Sequence, residues 1–365
     1  MIGDVSSEPD LAERVRSVTG GRPPGIAASI VRPEGVETAA GVGYADLSRR
    51  VDASPQMVCP WFSMTKIVSA TAAMQLVDDG ALDLEEPAIR HVPQLGRLRQ
   101  QSWATRITAW HLLTHSAGLA NPIPIRWIHP PAAPPVDQDS LLERLVTKHD
   151  RLRFEPGARS SYSNLSTLVL GVAVSNITGT PFSELVHRDL LDPLEMTATG
   201  FSYTPEMAAR AATGYHPRHN PMRYLLPRWV VGERAGNWVG LERFLLDGQA
   251  YGGLIGSLDD AARFLRLHLC DGAVDGRQIL KPATARRMRE IVVPGRRYDL
   301  GLGWFRPARQ RTSDPAFVEH LGGGAGFFNV IRIYPSRAVG VAVMGNATRY
   351  DIDRVAELAL RGGVG

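Results

Sequence analysis

The stretch that most restricts the fold is MTKIVSATAAMQLVDD, residues 64–79, followed by Gly80. It is rich in Ala and apolar nearly all round. A helix with one apolar stripe can lie on a surface, but one that is apolar on most faces has to be enclosed. Glycine adopts the left-handed conformation that ends helices, so Gly80 supplies the stop. The stretch therefore predicts a buried helix, with other layers built around it.

Those layers are legible on either side. Residues 25–48 hold short apolar runs (IAASIV, VETAAGVGYA) broken by Pro-Glu-Gly, the pattern of a strand hairpin. After residue 250 come a Ser-capped helical run, SLDDAARFLRLHL, and strand-like runs DLGLGWF, FFNVIRIYP and AVGVAVMGNA. Pro335-Ser336 turns between the last two, and DIDRVAELALR closes as an amphipathic helix. Between 81 and 250 the chain reads as helices and long loops. Thr108 caps a helix through AWHLLTH that runs toward Gly118, and DSLLERLVTKH and NLSTLVLGVAVSNITG are further helices. NPIPIRWIHPPAAPPVD is too rich in Pro for regular structure. TGYHPRHNPMRYLLPRW has the same irregular character. The simplest closure is an α/β protein of the α+β type. One antiparallel sheet is formed from both chain ends and flanked by helices (1–80 and 251–365). A mainly helical lobe (81–250) is inserted, its long loops bordering a cleft.

Composition removes several functions. The net charge is +4, but the Arg residues are scattered and no nucleic-acid module is visible, so no nucleic-acid partner is expected. No run approaches the ~20 apolar residues that span a bilayer, so no membrane partner is expected either. The polar, acidic N-terminus does not read as a secretion leader, which makes the expected location cytoplasmic. Cys59 and Cys270 read as reduced core thiols; a catalytic thiol at Cys59 is the weaker alternative. His111 and His115 stand i, i+4 on a helix, but Leu112 replaces the base of a zinc motif and no third ligand suggests itself. The glycines of VEHLGGGAGFF lack nucleotide-loop spacing and are followed by a strand. Neither metal nor cofactor is expected.

Lysine usage points to chemistry. Of 41 basic Lys and Arg residues only three are Lys, at 66, 148 and 281. A guanidinium cannot give up its proton, whereas a lysine amine can when its surroundings depress its pKa. Moving a lysine from about 10.4 to about 7 takes roughly 4–5 kcal/mol, which burial or a neighbouring cation can supply. Ser63 stands three residues before Lys66, at the start of the buried helix, so both side chains share one helix face. Two further clusters stand out: Tyr162 and Asn164 in SSYSN, and His320 followed by glycines.

Ser63-Met-Thr-Lys66, Tyr162-Ser-Asn164 and His320-Leu-Gly322 resemble, in order and spacing, the three motifs of serine β-lactamases and penicillin-binding proteins. More narrowly, the chain resembles class C β-lactamase-like hydrolases, which include family VIII carboxylesterases, D-aminopeptidases and D,D-peptidases. HLLTHSAGL, FEPGARSSYSN, DPLEMTATGF, YGGLIGSLDD and GLGW look like family segments, and the likeness runs from about residue 25 to 346. The resemblance implies a β-lactamase/transpeptidase-like fold and an acyl-enzyme on Ser63. Lys66 helps to take the Ser63 proton, and Tyr162 serves as general base and then general acid. Asn164 holds Lys66 or the substrate. The backbone N–H groups of Ser63 and Gly323 form the oxyanion hole beside Gly322. A phenol is only about 0.1% ionised at pH 7, so Lys66 and His320 would have to favour its phenolate.

The third motif departs from the lactamase pattern. Lys-Thr-Gly or Lys-Ser-Gly presents an ammonium and a hydroxyl to a substrate carboxylate, whereas here His320 is expected to titrate near neutrality and Leu321 has no hydroxyl. An uncharged small or short-chain ester is the better expected substrate, its acyl group in an apolar cleft bordered by the Pro-rich loop. The alternatives are an amide hydrolase (β-lactamase, D,D-peptidase or D-aminopeptidase) and a non-catalytic binding protein on the same scaffold.

Overall fold

The computed structural model describes residues 10–122 and 126–361. Eight antiparallel strands form the main sheet: β1 (Gly25–Arg32), β2 (Gly35–Asp46), β3 (Val51–Asp52), β4 (Tyr298–Leu300), β5 (Phe305–Pro307), β6 (Val318–Gly324), β7 (Phe327–Tyr334) and β8 (Val339–Gly345). Their spatial order is β4-β5-β6-β7-β8-β1-β2-β3. The two chain ends meet where β8 pairs with β1, Ser29 opposite Ala342.

Alternation along the strands separates two apolar layers. Ile26, Ala28, Ile30, Val330, Val341 and Val343 pack with Leu11 and Val15 of α1 (Leu11–Thr19) and with Ile352 and Val355 of α7 (Ile352–Ala356). Ala27, Val31, Ile331, Ile333, Ala342 and Met344 face the opposite way, into the large core. That core encloses α2 (Thr65–Asp78), whose residues 65–74 are all buried, together with α5 (Asn164–Thr178) and α6 (Leu258–Leu269). The all-round apolar run is thus explained by layers on every side, and Gly80 follows the helix with φ +73°.

Residues 81–250 depart from the sequence reading in three places. The Thr108-capped helix, α3 (Ala109–Leu113), ends five residues before Gly118; His115 has left-handed φ of +50°, which α-helix does not allow. Ile128–His129 of the Pro-rich segment forms a short strand with Leu245–Leu246. Gly214–Pro217, inside the second irregular stretch, pairs with Trp238–Leu241 in a small three-stranded sheet. In both cases the strand partner lies far along the chain, out of reach of local composition. The helix α4 (Gln138–Lys148) is capped by Asp137. Among the described residues no single helix is long and apolar enough to cross a membrane.

One ion pair ties the sheet to the terminal layer. Arg332 on β7 and Glu319 on β6 are paired in register and completely buried. Arg332 Nε donates to Glu319 Oε2 at 2.8 Å, and its Nη2 donates to Asp353 of α7. Breaking one partner of a buried pair typically costs about 3–5 kcal/mol, because the other charge is left uncompensated. Arg332→Met should therefore lower unfolding free energy by about that amount in urea titrations, and adding Glu319→Met should recover most of the loss. A single variant as stable as the parent would remove this pair from the account of the sheet.

Candidate active site

Ser63 lies in a tight turn, Phe62–Met64, leading into α2. Phe62 has φ +48°, a conformation that costs a non-glycine residue about 1–3 kcal/mol and persists only when the surroundings hold it. Its ring is held between Phe244 and Phe327, at centroid distances of 6.2 and 6.5 Å. Two glycines of β6 make room for this turn. A Cβ on Gly322 would stand 2.0 Å from the Trp61 carbonyl oxygen, and one on Gly324 would stand 2.1 Å from the Phe62 ring. These glycines remain within the strand, and their bareness lets the sheet approach the backbone that carries Ser63.

Lys66 is one turn further on. Its Nζ is 3.1 Å from Ser63 Oγ and donates to the Tyr251 carbonyl at 2.6 Å. It stands 5.0 Å from the Tyr162 ring centroid. Lys66 is only 3% exposed, and among the described residues it has no carboxylate within 4.0 Å. Burial drives its pKa well below the ordinary lysine range. With an N–H committed to Tyr251, the unprotonated amine keeps a lone pair for the Ser63 hydroxyl proton.

Tyr162 arrives from the loop before α5. Its ring stacks on His115 at 4.6 Å between centroids, and its hydroxyl bonds with Ser63. Burial raises the phenol pKa; the Ser63 bond opposes this only in part, and Tyr298 adds to the rise. His115 Nδ1 accepts the Ser163 N–H at 3.3 Å, so its proton sits on Nε2. Burial, then Lys66, pushes the His115 pKa down to about 3.

His320 corrects the expectation of a group titrating near neutrality. It is 2% exposed, and burial followed by Lys66 takes its pKa well below the ordinary value. The Leu321 carbonyl can only accept, so Nδ1 carries a proton and donates to it at 2.8 Å; burial, against this bond, keeps the ring neutral. His320 supplies no positive charge to favour a phenolate at Tyr162.

Ser63, Tyr162, His320 and Gly323 line one cavity of about 700 Å³. Lys66 lies behind Ser63, in a narrow apolar recess that also reaches His320. Asn164 begins α5, and its backbone N–H donates to Asn121 Oδ1 at 2.9 Å. Its side chain makes no bond to Lys66; the Tyr251 carbonyl occupies that role, and the buried Asn164 Oδ1 has no partner among the described residues. Among the described residues of the Pro-rich segment only Asn121 lines the cavity; residues 123–125 lie outside the described range. The segment is anchored elsewhere, through its short strand and the 2.9 Å contact of His129 Nδ1 with Asp247. Nor is the cavity simply apolar, because Arg159, Arg296 and Arg297 line it.

The other candidates fall into structural roles. Cys59 is completely buried, with its pKa pushed up to about 12, which suits an inert thiol. The ring of His111 closes the cap of α3 with Thr108. No group of metal-ligating side chains occurs among the described residues. Residue types marked His115 only as half of a rejected zinc motif, and did not mark the Tyr251 carbonyl or the three arginines. Only HLLTHSAGL and YGGLIGSLDD, the family-like segments, pointed to the first two regions.

Over residues 11–362 the chain matches the Beta-lactamase family model. Protein Rv1367c of Mycobacterium tuberculosis is 34% identical over 271 residues, covering 68% of this chain; the match spans only 63% of that relative's length. D-alanyl-D-alanine-carboxypeptidase/endopeptidase AmpH of Escherichia coli is 25% identical, covering 77% of this chain and 69% of the relative. Among solved structures, the D-amino acid amidase of Ochrobactrum anthropi superposes with a TM-score of 0.78 at 21% identity, covering 96% of this chain and 99% of its own. EstCE1, described as a hydrolase with promiscuous acyltransferase activity, gives 0.73 at 22% identity, covering 96% and 97%. The chain belongs to the Beta-lactamase family, with the fold of its serine hydrolases.

Proposed function

We propose that this protein is a carboxylesterase that cleaves small or short-chain esters through an acyl-enzyme on Ser63. The observation that carries the proposal is the 3.1 Å contact between Ser63 Oγ and an amine whose burial favours its unprotonated form. A hydroxyl attacks a carbonyl only when a base relieves it of its proton. Of the two neighbours, Tyr162 is held protonated and Lys66 is driven toward the free amine, so Lys66 takes the Ser63 proton. The Tyr162 hydroxyl, bonded to Ser63, then donates to the departing alkoxide and is replenished from the Lys66 ammonium. Water repeats the sequence on the acyl-enzyme. The N–H groups of Ser63 and Gly323 stabilise the oxyanion, where a single donor is typically worth about 100–1000-fold in rate. Neutral His320 and Leu321 at the third motif support an ester over a β-lactam, since neither offers the ammonium or hydroxyl that receives a lactam carboxylate.

Ser63→Ala should lower kcat on p-nitrophenyl butyrate by roughly four orders of magnitude or more, with circular dichroism unchanged. Faster turnover of cephalosporins or D-amino-acid amides than of that ester would shift the assignment to amide hydrolysis.

The pH profile tests the base. Catalysis needs the unprotonated amine, so kcat/KM should rise with pH through the lowered Lys66 pKa and level off well below the ordinary 10.5. Lys66→Arg should abolish both the rise and the activity, because a guanidinium keeps its proton. A limb centred near the ordinary lysine value would reject Lys66 as base.

A further inference from the structure

We infer that the substrate carries a compact, multiply charged anion (a phosphate-type or dicarboxylate group) at its non-reacting end, received by Arg159, Arg296 and Arg297. The inference rests on the serine-esterase reading and replaces its uncharged substrate with a charged one.

The three arginines line the cavity that contains Ser63, and among the described residues no carboxylate lines it. Other guanidiniums of this protein sit against an acid; Arg97, Arg99, Arg106, Arg309 and Arg332 are examples. Among the described residues no acidic side chain lies within 4.0 Å of Arg159, Arg296 or Arg297. Like charges gathered without counter-ions repel one another, and the arrangement is relieved by an anion of more than one charge. Guanidinium forks match phosphate and carboxylate oxygens in bidentate geometry.

The frame behind these side chains is built. Val293 and Leu300 exchange both backbone hydrogen bonds, closing the loop that carries Arg296 and Arg297. Within it the Gly295 N–H donates to Asp299 Oδ1 at 3.1 Å. Arg311 clamps the same loop, Nε to Asp299 Oδ2 and Nη2 to the Gly295 carbonyl, each at 2.7 Å. The Ala308 N–H donates to the Arg297 carbonyl at 2.8 Å. Across the cavity the Arg159 guanidinium stacks 4.6 Å from the Phe154 ring centroid. Arg311 spends its charge on Asp299, whereas Arg296 and Arg297 remain available to a ligand. These residues are far in sequence from the third-motif strand, so the loss of the lactamase ammonium there does not remove anion recognition from the cavity.

The test compares three p-nitrophenyl esters: the neutral butyrate, the singly charged monoester of adipic acid, and the 4-phosphonobutyrate. Calorimetric binding of free 4-phosphonobutyrate against butyrate gives a readout independent of turnover. At low salt kcat/KM should rise with charge, the phosphono ester exceeding the butyrate about tenfold or more, and the advantage should shrink as salt screens it. In the double variant Arg296→Gln/Arg297→Gln, and separately in Arg159→Gln, the ratio of phosphono ester to butyrate should fall toward one. Turnover of the butyrate equal to or faster than that of the phosphono ester overturns this inference and leaves the esterase standing. If no ester is turned over, tighter binding of 4-phosphonobutyrate than butyrate, lost in the double variant, upholds the anion site while the esterase reading falls. Equal binding in that case overturns both.

Discussion

The burial of one amine sets the terms for the rest of the site. Lys66 sits on a helix that is enclosed by the sheet on one side and by other helices around it, and among the described residues no carboxylate accompanies it inward. Water would solvate an ammonium there; the apolar surroundings do not, so the proton is expelled. The same enclosure holds His115 and His320 neutral and keeps the Tyr162 phenol protonated. Four titratable groups thus share a common cause, and in the proposed mechanism they supply a base, two neutral rings and an acid. This distribution differs from one in which a phenolate is held by nearby cations.

Placing Ser63 beside that amine depends on close contact between its turn and β6. The turn bearing Ser63 includes a strained Phe62, and β6 approaches it closely because residues 322 and 324 carry no side chain. The sheet is assembled from both chain ends, so the strand that supports Ser63 comes from more than 250 residues away. Strain next to a reacting group persists only when surrounding packing determines it, and here aromatic rings from β7 and from the inserted region supply the packing.

The fold was legible in large part because its signals are periodic. The all-round apolar helix, the Ser257 and Thr108 caps and the alternating runs at 327–345 each specify local geometry by side-chain pattern. Ser63, Lys66 and Tyr162 were legible as a motif. What escaped was non-local or not a side chain. The acceptor for Lys66 is a backbone carbonyl at Tyr251, which no residue type advertises. His115 reads as a structural histidine until Tyr162, 47 positions on, is seen stacked against it. The charge state of His320 depends on its exposure, and a sequence gives its identity without its surroundings. Arg296 and Arg297 were two among many scattered arginines until a closed loop brought them to the same cavity as Ser63.

The scarcity of lysine makes the central claim directly measurable. With three lysines in the chain, ¹³Cε labelling yields few signals, and comparison with Lys66→Arg assigns the one from Lys66. Its titration followed by NMR should show an amine that loses its proton well below the ordinary lysine value. A Lys66 signal that titrates at that ordinary value would show a charged Lys66 in the interior and contradict the account.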